Sequence, residues 1–275
     1  MSRQYDDMGF LYRERRSAPV YDKEKEAVKQ ILFPIIKGAN VLELACGSGF
    51  YTYDLIEWGA RHVTGVEISS DMLSTSKRSA GYAKHASRVD FIEADASIPQ
   101  AYPGGPFDVV LGTWFLNYAP DRETMARMFA NISLNLKDGG TFVGVQLPPS
   151  DDPVAEYSVG PLISLGTPCL LMEIASPVAD GFLMRVHLKS DRGSASFDCY
   201  HLSKEAFESA ARMGGMSGPS LGSRREKWTS ERWFRMGAKS GRSRSSDWRR
   251  TSSPASSLAR VPRQRPLDVL FSIPG

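Results

Sequence analysis

Apolar positions along the first half of the chain follow two periods in turn. Over residues 24–36, Ala27, Val28, Ile31, Leu32 and Ile35 recur at helical spacing until Pro34 interrupts them. Val41, Leu42 and Leu44 form a short apolar run, which reads as a buried parallel strand. Helical spacing returns from Tyr51 to residue 58, ahead of Gly59. His62–Ile68 reads as a second strand, and Ser69 caps a helix running to about Tyr82. Arg88–Glu93 and Asp108–Leu111 read as the third and fourth strands. Asp121 caps a helix with Met125, Met128, Phe129, Ile132 and Leu136 on one face, closed by Gly139-Gly140. Thr141–Gln146 is the fifth strand. Strict alternation of strand and helix predicts a doubly wound α/β fold. Its sheet is mostly parallel and Rossmann-like, with right-handed crossovers and helices on both faces.

After the fifth strand the pattern changes. Pro148, Pro149, Pro153, Pro161, Pro168 and Pro177 interrupt a series of apolar stretches. Phe182–Leu188 and Ala195–Leu202 alternate and are joined by Ser190-Asp191-Arg192-Gly193, which reads as a β-hairpin. Ser203 then caps a helix to Met213, with Leu202 and Phe207 placed as a hydrophobic staple. The expected division is a helical lead-in over 1–40, a core over 41–147, and a cap over 148–202. A last core helix over 203–215 and a basic tail over 216–275 complete it. Leu162, Leu165, Leu170, Leu171 and Met172 are expected to line an apolar pocket in the cap.

Between the first strand and the next helix lie Gly47, Ser48 and Gly49. Two glycines take positive φ easily and offer bare backbone to a ligand. Strand, glycine turn and helix is the cofactor-cradling opening of a doubly wound sheet. Glu43 sits in that otherwise apolar strand, where a carboxylate is costly unless it meets a donor or a cation. The stretch Glu43-Leu-Ala-Cys-Gly47-Ser-Gly49 resembles the first motif of class I S-adenosylmethionine-dependent methyltransferases, with Ala45 where the family has its first glycine. Three further stations resemble that family in its order: Val66-Glu67-Ile68-Ser69, Ala94-Asp95-Ala96, and Phe107 to Trp114. The wording of Phe50-Tyr51-Thr52 and of Trp114 to Ala119 is similar to small-molecule methyltransferases of fungal secondary metabolism, the gliotoxin-type N-methyltransferases among them.

The resemblance implies S-adenosylmethionine as cofactor and a methyl transfer to a nitrogen or oxygen of a small-molecule metabolite. It assigns the cofactor to Tyr12, Glu43, Ala45, Gly47, Gly49, Glu67, Ile68, Met72, Asp95, Ala96 and Thr113. Glu67 lies 18 residues after Gly49, close to the spacing of a ribose-binding acid. Asp95 would accept from the adenine amino group. Glu43 would order the glycine turn or meet the cofactor's ammonium through water. Trp114, Asn117 and Tyr118, after the fourth strand, are assigned to the substrate. The catalytic residue is left open. His187 and His201 fall in the hairpin and read as structural. The competing classes are an RNA methyltransferase, a non-catalytic cofactor-binding protein and an NAD(P)-dependent oxidoreductase. The last would need glycine where Thr52 stands.

Composition narrows the setting. The chain has 275 residues and a net charge of +3. Residues 216–275 carry eleven Arg and two Lys against four acids, so the body is mildly acidic and the basic character belongs to the tail. Three cysteines without paired spacing point away from a disulfide framework and from a metal site. The expected protein is cytoplasmic, with a small-molecule partner rather than nucleic acid or membrane. The Ser- and Arg-rich tail is expected to be disordered and to omit the two strands with which the family closes its sheet. Its abrupt change of composition resembles a coding-frame change or a missed splice site; an RNA- or membrane-contacting tail is the alternative.

Overall fold

The computed structural model describes residues 19–146, 169–190, 193–217 and 233–238. The chain enters on helix α1 (Pro19–Leu32), which ends two residues before Pro34. Strand β1 (Asn40–Leu44), helix α2 (Thr52–Glu57) and strand β2 (His62–Glu67) follow. The expected single helix after β2 is two, α3 (Ser70–Lys77) and α4 (Ala80–His85). Ser79 divides them, because its hydroxyl accepts from the Tyr82 backbone N–H and starts a new cap. Strand β3 (Val89–Glu93), strand β4 (Phe107–Thr113), helix α5 (Arg122–Asn135) and strand β5 (Leu136–Val145) complete the alternating part. The glycine pair expected to end α5 lies inside β5. There the ladder skips from Phe107–Leu136 to Val109–Thr141.

The sheet has the order β3-β2-β1-β4-β5, all parallel, and is then closed by two antiparallel strands. Its inner strands bury alternate residues on opposite faces. Leu42, Leu44, Val110 and Phe142 pack with α5. Val41, Val109, Leu111 and Val143 pack with α1 and α2. Gly81 lets α4 press on Tyr53, since a Cβ there would come within 2.6 Å of the ring.

The closing strands correct the expectation that the tail omits them. Strand β10 (Trp233–Ala238) pairs antiparallel with β5, and β9 (Met216–Ser217) pairs with β10. The open edge of β5 is a row of backbone donors and acceptors that five residues of the tail, Trp233 to Gly237, pair with. Averaging composition over a Ser/Arg-rich segment hid that short run. Residues 239–275 lie outside the described residues.

The cap is also larger than a hairpin. Strands β7 (Gly181–Ser190) and β8 (Gly193–Leu202) pair as expected, and β6 (Cys169–Val178) adds a third antiparallel strand. Two features masked β6 in the sequence. A register shift between Ile174 and Ser176 breaks the two-residue period. Pro177 is tolerated because β6 is an edge strand. Strand β8 passes through Ser203 into helix α6 (Lys204–Met213), and the Ser203 hydroxyl accepts from the Ala206 N–H as expected. Leu202 and Phe207 both enter the core beside Phe129. Arg122, at the start of α5, pairs with Asp180 at 3.1 Å and Glu205 at 2.6 Å, pinning the β6–β7 turn and α6 together.

Candidate functional site

The four stations lie at the carboxyl ends of β1, β2, β3 and β4, the edge where open α/β sheets bind ligands. At the end of β1 the backbone turns through Ala45 (φ 56°), Gly47 (φ 56°) and Gly49 (φ 84°). Gly49 donates its N–H to the Cys46 carbonyl at 3.0 Å, which closes the turn. A Cβ on Gly49 would strike Ser76 and Tyr53, whereas one on Gly47 would meet nothing within 4 Å among the described residues. The turn is therefore packed on one side and open on the other. Ala45 holds a left-handed conformation that costs an L-residue roughly 1–2 kcal/mol. Ala45→Gly is expected to stabilise the chain by about 0.5–1 kcal/mol, once the extra unfolded-state freedom of glycine is deducted. Thermal unfolding checks this, with a rise of about 1–3 °C expected.

Two carboxylates organise this end of the sheet through partners within the chain. Glu67 is 7% exposed and accepts three backbone N–H groups: Gly47 at 2.9 Å, Ile68 at 2.9 Å and Ser69 at 3.0 Å. It thus staples the β1 turn to the β2 loop, the ordering role expected of Glu43. Glu43 is buried and accepts the Thr52 hydroxyl at 2.5 Å, joining β1 to α2. Ser69 caps α3 by accepting the Met72 N–H at 3.3 Å, with Met72 buried and Ile68 half-buried beside it. Asp95 accepts both the Ser97 N–H at 2.9 Å and the Ser97 hydroxyl at 2.7 Å. Tyr12, Leu162 and Leu165 lie outside the described residues, as do the side chains of Leu170 and Leu171.

The loop after β4 divides its aromatic residues between two neighbours. Trp114 takes a left-handed φ of 54°, donates its backbone N–H to the Val145 carbonyl at 2.7 Å, and turns its indole toward α1. Phe115 is fully buried in the core. Tyr118 packs against the cap sheet beside Met184 and Val186. Asn117 is 7% exposed, and its side-chain oxygen meets no donor among the described residues. It borders a small enclosed space with Gln146 and His201. Burial pushes the Tyr118 phenol well above its usual range. His187 is fixed on the hairpin by Ser196 at 2.7 Å and Glu173 at 3.2 Å.

The methyltransferase-domain family matches residues 41–140, the span from β1 into β5 that carries all four stations. Residues 41–140 are a methyltransferase domain. S-adenosylmethionine is the cofactor of that domain. The chain resembles phosphoethanolamine N-methyltransferase 3 of Arabidopsis thaliana, at 30% identity over 37% of this chain and 21% of that one. It spans 56% and 21% of the length of two curated relatives it matches. The fold is shared with an S-adenosylmethionine-dependent methyltransferase from Clostridium acetobutylicum, at TM-score 0.59, 18% identity, and 86% and 96% coverage of the two chains. It is also shared with an S-adenosylmethionine-bound amino pentose methyltransferase of calicheamicin biosynthesis from Micromonospora echinaspora. There the TM-score is 0.53, the identity 17%, and the coverage 83% and 94%.

Two residues of the methyltransferase domain that sequence reading passed over hold its third station. Asn131 and Asn135 of α5 are buried, at 0% and 2% exposure. Asn131 accepts the Gln100 N–H at 3.0 Å and donates to the Ala96 carbonyl at 2.9 Å. Asn135 accepts the Tyr102 N–H at 3.0 Å and donates to the Gln100 carbonyl at 2.8 Å. The loop bearing Asp95 and Ala96 is thus fixed from below by two amides one helical turn apart. Cys46 and Cys199 are buried free thiols. Burial, then Glu43 and Glu67, push the Cys46 thiol well above its usual range, and burial pushes Cys199 to about 12. Both are expected to resist alkylation at pH 8 in the folded chain and to react on unfolding, as mass spectrometry of iodoacetamide-treated protein would record.

Proposed function

We propose that the protein transfers a methyl group from S-adenosylmethionine to a nitrogen or oxygen of a small-molecule metabolite, in secondary metabolism. The observation that supports this reading is the antiparallel sheet β6–β8 set against the loop after β4 by Tyr118. A covered site suits a small acceptor better than a polymer strand. The amino pentose acceptor of the calicheamicin enzyme agrees with it.

The residues present fit the cofactor. Open space beside Gly47 admits a ligand against bare backbone. Glu67 offers a buried carboxylate for ribose hydroxyls, and Asp95 and Ala96 a rim for adenine, with Ile68 and Met72 as apolar neighbours. Glu43, through Thr52, fixes the first turn of α2 beneath the glycine turn. When bound, S-adenosylmethionine supplies an electrophilic methyl group on a sulfonium. The chain's own contribution is placement. Trp114, Asn117 and Tyr118 set the acceptor behind the methyl, with Thr113 on the cofactor side, and positioning of this kind is worth roughly 7–11 kcal/mol. An amine acceptor brings its own lone pair. The cap over 148–202 carries the choice of acceptor, along the lines of gliotoxin-type N-methyltransferases.

Incubation of the chain with methyl-labelled S-adenosylmethionine and a metabolite extract, with and without RNA, tests the reading. Label is expected in the low-mass fraction. Label recovered only in RNA or in protein would overturn it.

A further inference from the structure

Glu24 stands in the buried stripe of α1, four residues before Val28, and is 7% exposed. Its two carboxylate oxygens serve two different parts of the domain. One accepts the Tyr51 hydroxyl at 2.6 Å, and the other the Trp114 indole N–H at 3.1 Å. Tyr51 is 1% exposed and follows the glycine turn by two residues. Trp114 is the residue with left-handed backbone at the end of β4. One side chain therefore joins α1 to the cofactor turn and to the acceptor loop.

The polar and aromatic contacts beside it tie this face of α1 to the stretch that follows the cofactor turn. Lys25 pairs with Asp54 at 2.5 Å and lies over the Phe50 ring at 4.2 Å, and Tyr21 meets Phe50 edge to face at 6.2 Å. These contacts reach residues 50–54. Glu24 alone among them extends to Trp114. A strained backbone persists only where its surroundings over-determine it. The Glu24–indole bond and the Trp114 N–H bond to Val145 are two such constraints on either side of the Trp114 Cα.

We propose that Glu24 is a positioning residue for methyl transfer: its carboxylate sets the cofactor turn and the acceptor loop in register with each other. The inference rests on the methyltransferase reading given above. Removing Glu24 lets Tyr51 and Trp114 settle independently, so the cofactor turn loses order although no direct contact to the cofactor is removed.

The test is calorimetric titration of the full chain with S-adenosylmethionine and with S-adenosylhomocysteine. Glu24→Gln is expected to weaken both about tenfold, the scale of a lost hydrogen bond to a charged group. Trp114→Phe and Tyr51→Phe are each expected to weaken them severalfold, and the pair Glu24→Gln with Tyr51→Phe no more than Glu24→Gln alone. A merely structural carboxylate would lower the melting temperature, leave the affinity of the folded protein unchanged, and combine additively with Tyr51→Phe. If Glu24→Gln fails to fold, the two phenylalanine variants decide, and unchanged affinity in both overturns the inference. No binding by the unaltered chain would sink the methyltransferase reading and this inference with it. Tight binding by the unaltered chain and equal binding by Glu24→Gln would overturn this inference alone.

Discussion

Glu67→Ala is expected to lower S-adenosylmethionine affinity by roughly 10- to 100-fold and to destabilise the chain by about 2–4 kcal/mol. The two effects share one cause. The carboxylate is the acceptor for Gly47, Ile68 and Ser69 N–H groups, so alanine leaves three donors at the sheet edge to find water or nothing. The Gly47 turn then loses its tie to β2, and a charged acceptor facing the ligand edge is removed as well. Calorimetry gives the affinity and urea unfolding the stability. A folded Glu67→Ala protein with unaltered affinity would remove Glu67 from the cofactor site.

Asn131→Ala is expected to cost about 2–4 kcal/mol, a drop of about 4–16 °C in melting temperature for a chain of this size. The amide is completely buried and satisfies the Gln100 N–H, the Ala96 carbonyl and the Tyr102 hydroxyl at once. Alanine strands the Ala96 carbonyl and the Tyr102 hydroxyl inside the core, where an unmet polar group carries its full desolvation penalty. The loss should also loosen the loop carrying Asp95 and so weaken cofactor binding, by less than Glu67→Ala does. Thermal unfolding with and without S-adenosylmethionine separates the two contributions. A change below about 0.5 kcal/mol would mean that water replaces the amide without penalty.

The parallel half of the sheet was legible because its inner strands are buried on both faces and read as short apolar runs between helices of clear period. The caps at Ser69, Asp121 and Ser203 were legible because a hydroxyl or carboxylate at the first turn has one dominant use. The cap strand β6 and the closing strand β10 were not. A register shift, an edge proline and a charged neighbourhood each disturb periodicity without preventing backbone pairing. The tie-points of the site were hidden differently. Asn131 and Asn135 lie in phase with Met128 and Ile132 on the buried face of α5, and Glu24 lies in phase with Val28 and Leu32 on α1. A polar side chain inside an apolar stripe was the available signal, because burial there requires a partner. Glu43 was noticed on that ground and the others were not. The tie from Glu67 to the glycine turn was beyond reach, since a carboxylate's partners depend on how two loops approach across the sheet edge.

The strand order also sets a timetable for synthesis. Strands β1 to β5 can assemble as they leave the ribosome, but β5 meets its outer neighbour only when β10 has been made, roughly ninety residues later. At translation speeds of about 5–20 residues per second, the flank of β5 stays bare for roughly 5–20 seconds. Through that interval the nascent chain carries an adhesive margin which chaperones must shield, and slowing translation across the cap lengthens the exposure in proportion.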